Sequence, residues 1–203
     1  MPSHPNILVM TKELVAEFFK DVEERSPNLI NGKVLLCLMK LAYFCGLKKQ
    51  ELIALRIKDV QMANGEILHE VTLKHGDIAL KENVRTLLRE HIQHLKMSGY
   101  QVSRNFPLFP RKLIKNPARG FKRVSDWRYN ERTLQRDLRR LRDKIPHINV
   151  LDTLRWAGIF HYYESLRSTN QSMDSIGETS RFARFNRNYF ERIIRYRWYR
   201  YRP

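Results

Sequence analysis

The chain has 203 residues, 42% of them hydrophobic, which is enough for one domain with a real core. Lys plus Arg number 38 against 21 Asp plus Glu, a formal charge of +17 that makes a polyanion the natural partner. The longest apolar run, Val34 to Phe44, is broken by Lys40 and falls short of the ~18 residues with which a helix crosses a bilayer.

The opening Met1-Pro2-Ser3-His4-Pro5 lacks the charged and apolar regions of a secretory signal, which predicts a cytoplasmic, nucleoid-associated chain. Thr11 is placed to cap a helix with Leu14, Val15, Phe18 and Val22 on one face, and Ser26-Pro27-Asn28 ends it. A second helix begins near Asn31 and is apolar nearly all round. It holds both cysteines, Cys37 and Cys45, read as reduced core residues. Gly46 stops this helix, and Lys49 to Ile57 reads as a third, with Leu52 and Leu55 inward. Asn64-Gly65 and Gly76-Asp77 read as turn pairs around Ile67 to Lys74, where alternation of Val71 and Leu73 with polar residues predicts a small β-hairpin or meander. From Lys81 helical spacing returns through Val84, Leu87, Leu88, His91 and Leu95, ending at Gly99.

Asn105 to Asp126 carries Pro107, Pro110, Pro117 and Gly120 among Arg111, Lys112, Lys115, Arg119, Lys122 and Arg123, and reads as an irregular basic connection along a phosphate backbone. Leu134, Leu138 and Leu141 then define an amphipathic helix whose other faces hold Arg132, Arg136, Arg139, Arg140 and Arg142. Two readings of those arginines are open, phosphate contact or a solvated charged face. After Pro146 a helix from about Leu151 carries Leu154, Ile159, Tyr162 or Tyr163 and Leu166, and another runs from Thr179 to about Arg195. Arg192, Arg195, Arg197 and Arg200 interleave with Tyr196, Trp198, Tyr199 and Tyr201. Residues 195–203 read as a basic aromatic tail suited to phosphate contact and base stacking, or as a frayed end. The apolar periodicity ends near Ile194, so residues 1–194 read as the domain, and removing Arg192 to Pro203 is expected to weaken DNA binding without unfolding it. Helices, a short sheet and helices again predict a mainly α (α+β) domain.

The stretch Leu41 to Val60, with Cys45-Gly46-Leu47-Lys48-Lys49-Gln50-Glu51-Leu52 at its centre, resembles the first catalytic box of the tyrosine recombinases and phage-type integrases, TGLRxSELLxLxWxDI. The likeness continues in order. Lys74 stands in the hairpin, a basic connection follows, Asp152-Thr153-Leu154-Arg155 stands where the family has His-x-x-Arg, and a tyrosine lies near the C-terminus. It covers about Ile7 to Ile194, the family's catalytic domain, without its separate N-terminal core-binding domain. The resemblance implies a helical bundle with a small antiparallel β-sheet, duplex DNA as partner, and a second copy or a full-length recombinase as oligomer partner. Docking of the tail on a neighbouring protomer is a third reading of residues 195–203. The implied chemistry is attack by a tyrosine hydroxyl on a DNA phosphodiester to form a 3′-phosphotyrosine, later reversed by a freed 5′-hydroxyl, with no metal and no cofactor.

Residue by residue, the resemblance places Lys48 in the seat of the first arginine, where it keeps the charge but not the planar fork. Lys74 matches the hairpin lysine, or is a solvated charge. Arg155 matches the second arginine, and on a mostly apolar helix it needs an anion, either a phosphate or an internal carboxylate. Asp152 occupies a histidine seat, so an acceptor replaces a donor. Ile176-Gly177-Glu178-Thr179-Ser180 aligns with LGHSS, putting Glu178 in the next histidine seat, while Phe182-Ala183-Arg184-Phe185-Asn186 is an alternative alignment. Tyr189, eleven residues after Glu178, is the candidate nucleophile and Tyr196 the fallback. The expectation is a DNA-binding protein with a degenerate active site, weakened in catalysis, of mobile-element type, acting in recombination or integration or its regulation. The alternative is an active, divergent strand-transferase using Tyr189, Arg155, Lys74 and Lys48, with Arg56, His161 or Arg184 supplying missing charge. A basic RNA-binding protein is a third class.

Overall fold

A computed structural model describes residues 7–29, 31–111, 128–140, 149–169, 174–196 and 198–200. Its axis is the apolar second helix, α2 (Gly32–Cys45), which buries Val34, Leu35, Cys37, Leu38, Met39, Leu41, Ala42 and Cys45. Around it pack α1 (Lys12–Arg25), α4 (Glu82–Met97) and α6 (Val150–Thr169). Thr11 Oγ1 accepts from the Leu14 N–H at 3.3 Å, capping α1 as expected, and Val15, Phe18, Phe19 and Val22 face inward. The two central helices lie so close that a Cβ on Gly158 of α6 would stand 1.8 Å from the Tyr43 carbonyl oxygen of α2. Both cysteines are buried free thiols, and burial pushes Cys45 up to about 12.

Gly46, at φ 61°, ends α2 in the left-handed region. The next helix, α3 (Lys49–Ala54), is shorter than its spacing predicts. Leu55 and Ile57 instead pair through their main chains with the 106–108 segment, Leu108 N–H to Leu55 O at 2.9 Å and Ile57 N–H to Phe106 O at 3.0 Å. The hairpin comprises β2 (Glu70–Leu73) and β3 (Gly76–Ala79), antiparallel, with Val71 opposite Ile78 and both buried. Its turn is Lys74-His75, so Gly76-Asp77 opens a strand and is not the turn pair expected.

On the other side, α5 (Glu131–Arg139) is capped by Asn130, whose Oδ1 accepts from Thr133 N–H at 2.8 Å, and buries Leu134 and Leu138. The single helix expected over 179–195 is two, α7 (Ser175–Ala183) and α8 (Arg187–Tyr196), broken at Arg184, φ 54° and ψ 47°. Asn186 opens the second, its Oδ1 accepting from Asn188 N–H at 2.9 Å. Finally, β1 (Ile7–Val9) and β4 (Trp198–Arg200) pair in parallel, Ile7 opposite Trp198 and Val9 opposite Arg200. Residues 195–203 therefore contain a strand bonded to the start of the chain. Ile193 is buried with Val9 and Phe160, so the core extends into the segment whose removal was expected to spare the fold. Among the described residues no helix is long and apolar enough to cross a membrane.

Candidate active site

The left-handed turn at Gly46 presents its carbonyl oxygen to two arginines at once. Arg155 Nε of α6 donates to it at 2.8 Å and Arg184 Nη2, from the α7–α8 turn, at 3.1 Å. A carbonyl oxygen has two lone pairs and can accept both. Arg155 is only 5% exposed; its Nη2 also reaches the Ala183 carbonyl at 3.4 Å, and its guanidinium lies 4.8 Å from the Phe185 ring centroid and 5.5 Å from that of Trp156. Burial pushes Arg155 down to about 10, helped by the Arg184 charge and opposed by Asp152, Glu51 and Tyr189. Among the described residues Arg155 has no carboxylate partner in an ion pair or hydrogen bond.

Arg184 is equally enclosed, its side chain 3% exposed. Its Nη2 meets Glu51 Oε2 at 2.8 Å, and its Nη1 the Phe182 carbonyl at 3.4 Å. The same Glu51 oxygen accepts the Lys48 backbone N–H at 2.7 Å, so one carboxylate both caps α3 and holds Arg184. Gly76 of the hairpin borders this arginine, since a Cβ there would lie 3.9 Å from Arg184 Cγ and Cδ. Lys74, in the turn just before Gly76, is exposed.

The expected residues divide between this centre and elsewhere. Lys48 is half-buried at the start of α3. Asp152, in the first turn of α6, receives a hydrogen bond from the Asn149 side-chain amide, and its charge acts on Arg155. Tyr189 is half-buried in α8, edge-on to Phe185 at 5.4 Å, the same ring that carries Arg155. Glu178 is drawn off to Arg181 at 3.0 Å, and its charge adds to the burial that raises Tyr162. Of the fallback groups, His161 is engaged in the core: Nε2 donates to the Met10 carbonyl at 2.9 Å and Nδ1 accepts from the Tyr43 hydroxyl at 2.8 Å, and burial pushes its pKa down. The Arg56 backbone is tied to Asp59 Oδ2 at 2.8 Å. Only Arg184 of the three joins Arg155. Glu51 stands in the first box but is not among the residues that the resemblance implies, and the alternative alignment is the sequence signal for Arg184.

The expected DNA contacts also separate. Arg132, Arg136, Arg139 and Arg140 are exposed on and just after α5. Asp137, buried at the base of that helix, lies 3.5 Å from Arg136 and 3.5 Å from Arg111, which is thereby anchored. Arg192 is exposed on α8, and Arg195 pairs with Glu191 at 2.5 Å. Lys112, Lys115, Arg119, Lys122, Arg123, Arg142 and Arg197, and the side chains of Tyr196 and Arg200, lie outside the described residues. Among the described residues no group of three or more His, Cys, Asp or Glu could hold a metal ion.

No protein-family model and no curated protein matches the chain. Solved structures do match. The XerH site-specific recombinase bound to difH substrate in a pre-cleavage complex aligns with TM-score 0.62 and 15% identity, over 92% of this chain and 50% of that one. The XerA recombinase aligns with TM-score 0.59 and 15% identity, over 94% and 59%. A XerH post-cleavage complex on a palindromic difH substrate gives TM-score 0.59 and 15% identity, over 95% and 52%. The chain thus spans 50–59% of the length of these recombinases. Hairpin, central helices and the two closing helices together make this a mainly helical fold of the tyrosine-recombinase catalytic-domain type.

Proposed function

We propose that this chain binds duplex DNA as a recombinase-type domain weakened in strand cleavage, acting in recombination or integration or in its regulation. Arg155 carries the reading. A buried guanidinium held by main-chain carbonyls, beside a second buried arginine, is costly unless an anion completes the site. A DNA phosphodiester, with two oxygens for arginine forks, has that chemistry. Three features support weakening: Lys48 lacks a fork, Asp152 brings a negative charge, and Glu178 is committed to Arg181. Each lost donor to a developing oxyanion costs ~10²–10³ in rate. A second copy or a full-length recombinase is the proposed oligomer partner.

The second reading, an active strand-transferase, is favoured by Arg184 beside Arg155 and by Tyr189 within reach of their charge. In that reaction the Tyr189 hydroxyl oxygen bonds to phosphorus, its proton passing to a base, and the DNA 5′-oxygen leaves and is protonated. A nicked suicide duplex decides between the two readings. The weakened domain gives little or no covalent adduct; rapid adduct formation, abolished by Tyr189→Phe with affinity retained, establishes the transferase instead. Competition among duplex DNA, four-way junctions and structured RNA tests the nucleic-acid class, and preference for RNA overturns the proposal.

A further inference from the structure

We infer that the cleft between α2, α4, α6 and α7 is a docking site for an acidic segment of a partner protein, which inserts an aromatic side chain among Phe44, Tyr162 and Phe182 and sets a carboxylate against Lys81. The inference goes beyond the proposed function and makes no use of the arginine centre.

The outer stripe of α2 runs Lys33, Lys40, Phe44, so an aromatic ring stands where helical spacing calls for another polar residue. Phe44 is left 38% exposed, edge-on to Tyr43 with ring centroids 5.0 Å apart. Tyr162 and Phe182 pack at 4.5 Å, and with Phe44, Val84 and Gly158 they line a cavity of about 260 Å³. Its floor belongs to the core. Gly158 lies against the Tyr43 main chain, and the Tyr43 hydroxyl donates to His161 Nδ1 at 2.8 Å, so collapse onto the gap would break buried contacts. Pockets that take a whole small molecule run to ~300–1,000 Å³. This one is smaller, the size for a side-chain anchor, and aromatic anchors in such pockets carry much of the energy of a protein interface.

Charge selects the partner. Lys81 Nζ stands 5.2 Å from the Tyr162 ring centroid and, among the described residues, has no carboxylate in an ion pair. The acids around it are engaged: Glu82, next in the chain, pairs with Arg85 at 2.7 Å, and Glu178, whose charge reaches Tyr162, pairs with Arg181 at 3.0 Å. The cleft therefore offers one unpaired ammonium on an aromatic wall, which fits a carboxylate beside an aromatic side chain. The chain's own C-terminal segment has the wrong sign, with Arg195, Arg197 and Arg200 among its aromatics, and Trp198–Arg200 is already paired with β1. A DNA strand would need a row of cations along its phosphates, whereas Lys81 is the one Lys or Arg among the described lining residues.

The test titrates the whole chain into short fluorescein-labelled peptides, with a central Trp, Phe or Ala flanked by Asp and Glu, by Gln or by Lys, and reads anisotropy at physiological salt. Acidic peptides centred on Trp or Phe are expected to bind about tenfold tighter than the acidic peptide centred on Ala, and tighter than the Gln-flanked ones. Phe44→Ala should weaken them about tenfold and remove the preference for an aromatic centre. Lys81→Gln, whose exposed side chain leaves the core untouched, should narrow the gap between acidic and Gln-flanked peptides, and Lys81→Glu should turn the preference toward Lys flanks. An unchanged thermal midpoint in Phe44→Ala makes its loss a local one; if that variant is destabilised, the two Lys81 variants carry the test. Equal binding of Trp- and Ala-centred acidic peptides, or affinities untouched by all three substitutions, overturns the inference and leaves only the attraction of a +17 chain for acids. Preference of the unmodified chain for Lys-flanked aromatic peptides overturns it in favour of a second copy's basic tail. Loss of duplex affinity in Lys81→Gln with peptide binding unchanged overturns it in favour of nucleic acid.

Discussion

His91 of α4 donates through Nε2 to the Leu108 carbonyl at 2.8 Å, and burial pushes its pKa down to about 4. An unfolded histidine takes its proton below about 6.5, so between those values the unfolded chain binds more protons and stability falls as the pH drops. Above pH 6.5 the full contribution is present. Acidification from 6.5 to 4 should cost on the order of 3 kcal/mol through this residue alone, read as a lower urea midpoint, and His91→Gln should remove that part of the pH dependence. An equal pH slope in the variant would show that His91 is not the titrating group. At the site, Lys48→Arg with Asp152→His supplies a fork and a donor where the structure has an ammonium and a carboxylate. Whatever adduct rate the unmodified chain has should rise by about 10²-fold, measured on the nicked duplex.

Two elements meet where α2 and α6 cross, and Gly158 is what lets them. A methyl group there would overlap the Tyr43 carbonyl at 1.8 Å, so Gly158→Ala must drive the helices apart and should cost about 3 kcal/mol or more, seen as a fall in Tm. An unchanged Tm would mean that the two helices separate freely. The closing strand β4 is the other element whose role the fold changes. It supplies hydrogen bonds to β1, and α8 before it buries Phe190 and Ile193. Truncation before Trp198 should lower Tm by several degrees, and truncation before Arg192 by much more, because the second cut removes Ile193 from its place with Val9 and Phe160.

Of the cations behind the +17 charge, acids hold some of the inner ones among the described residues and leave Arg155 and an outer set without a carboxylate. Asp137 holds Arg111, Glu51 holds Arg184, and Glu131 holds Lys49 at 2.8 Å, while Arg132, Arg139 and Arg140 remain exposed. Duplex binding should weaken linearly in log salt, and replacing Arg132, Arg139 and Arg140 by Gln should flatten the slope by about 0.9 for each that touches phosphate. An unchanged slope would assign these arginines to a solvated face.

The helices around the core were legible because apolar spacing and local chemistry act within a few residues: Thr11, Gly46 and the Val71 alternation each place an element by themselves. The order of elements was enough for the recombinase-type fold. The break at Arg184 was not, because nothing within α7 demands a left-handed arginine; its reason is Gly46 and Glu51, more than 130 residues away. Likewise His161 looks in sequence like a spare donor, and only the packing of Met10 and Tyr43 against it makes it a core tether. Lys48 and Arg155 are candidates by their motifs alone. Which anion each side chain answers to is decided by burial and by distance through space, and those exist only once α2, α6 and the α7–α8 turn are brought together.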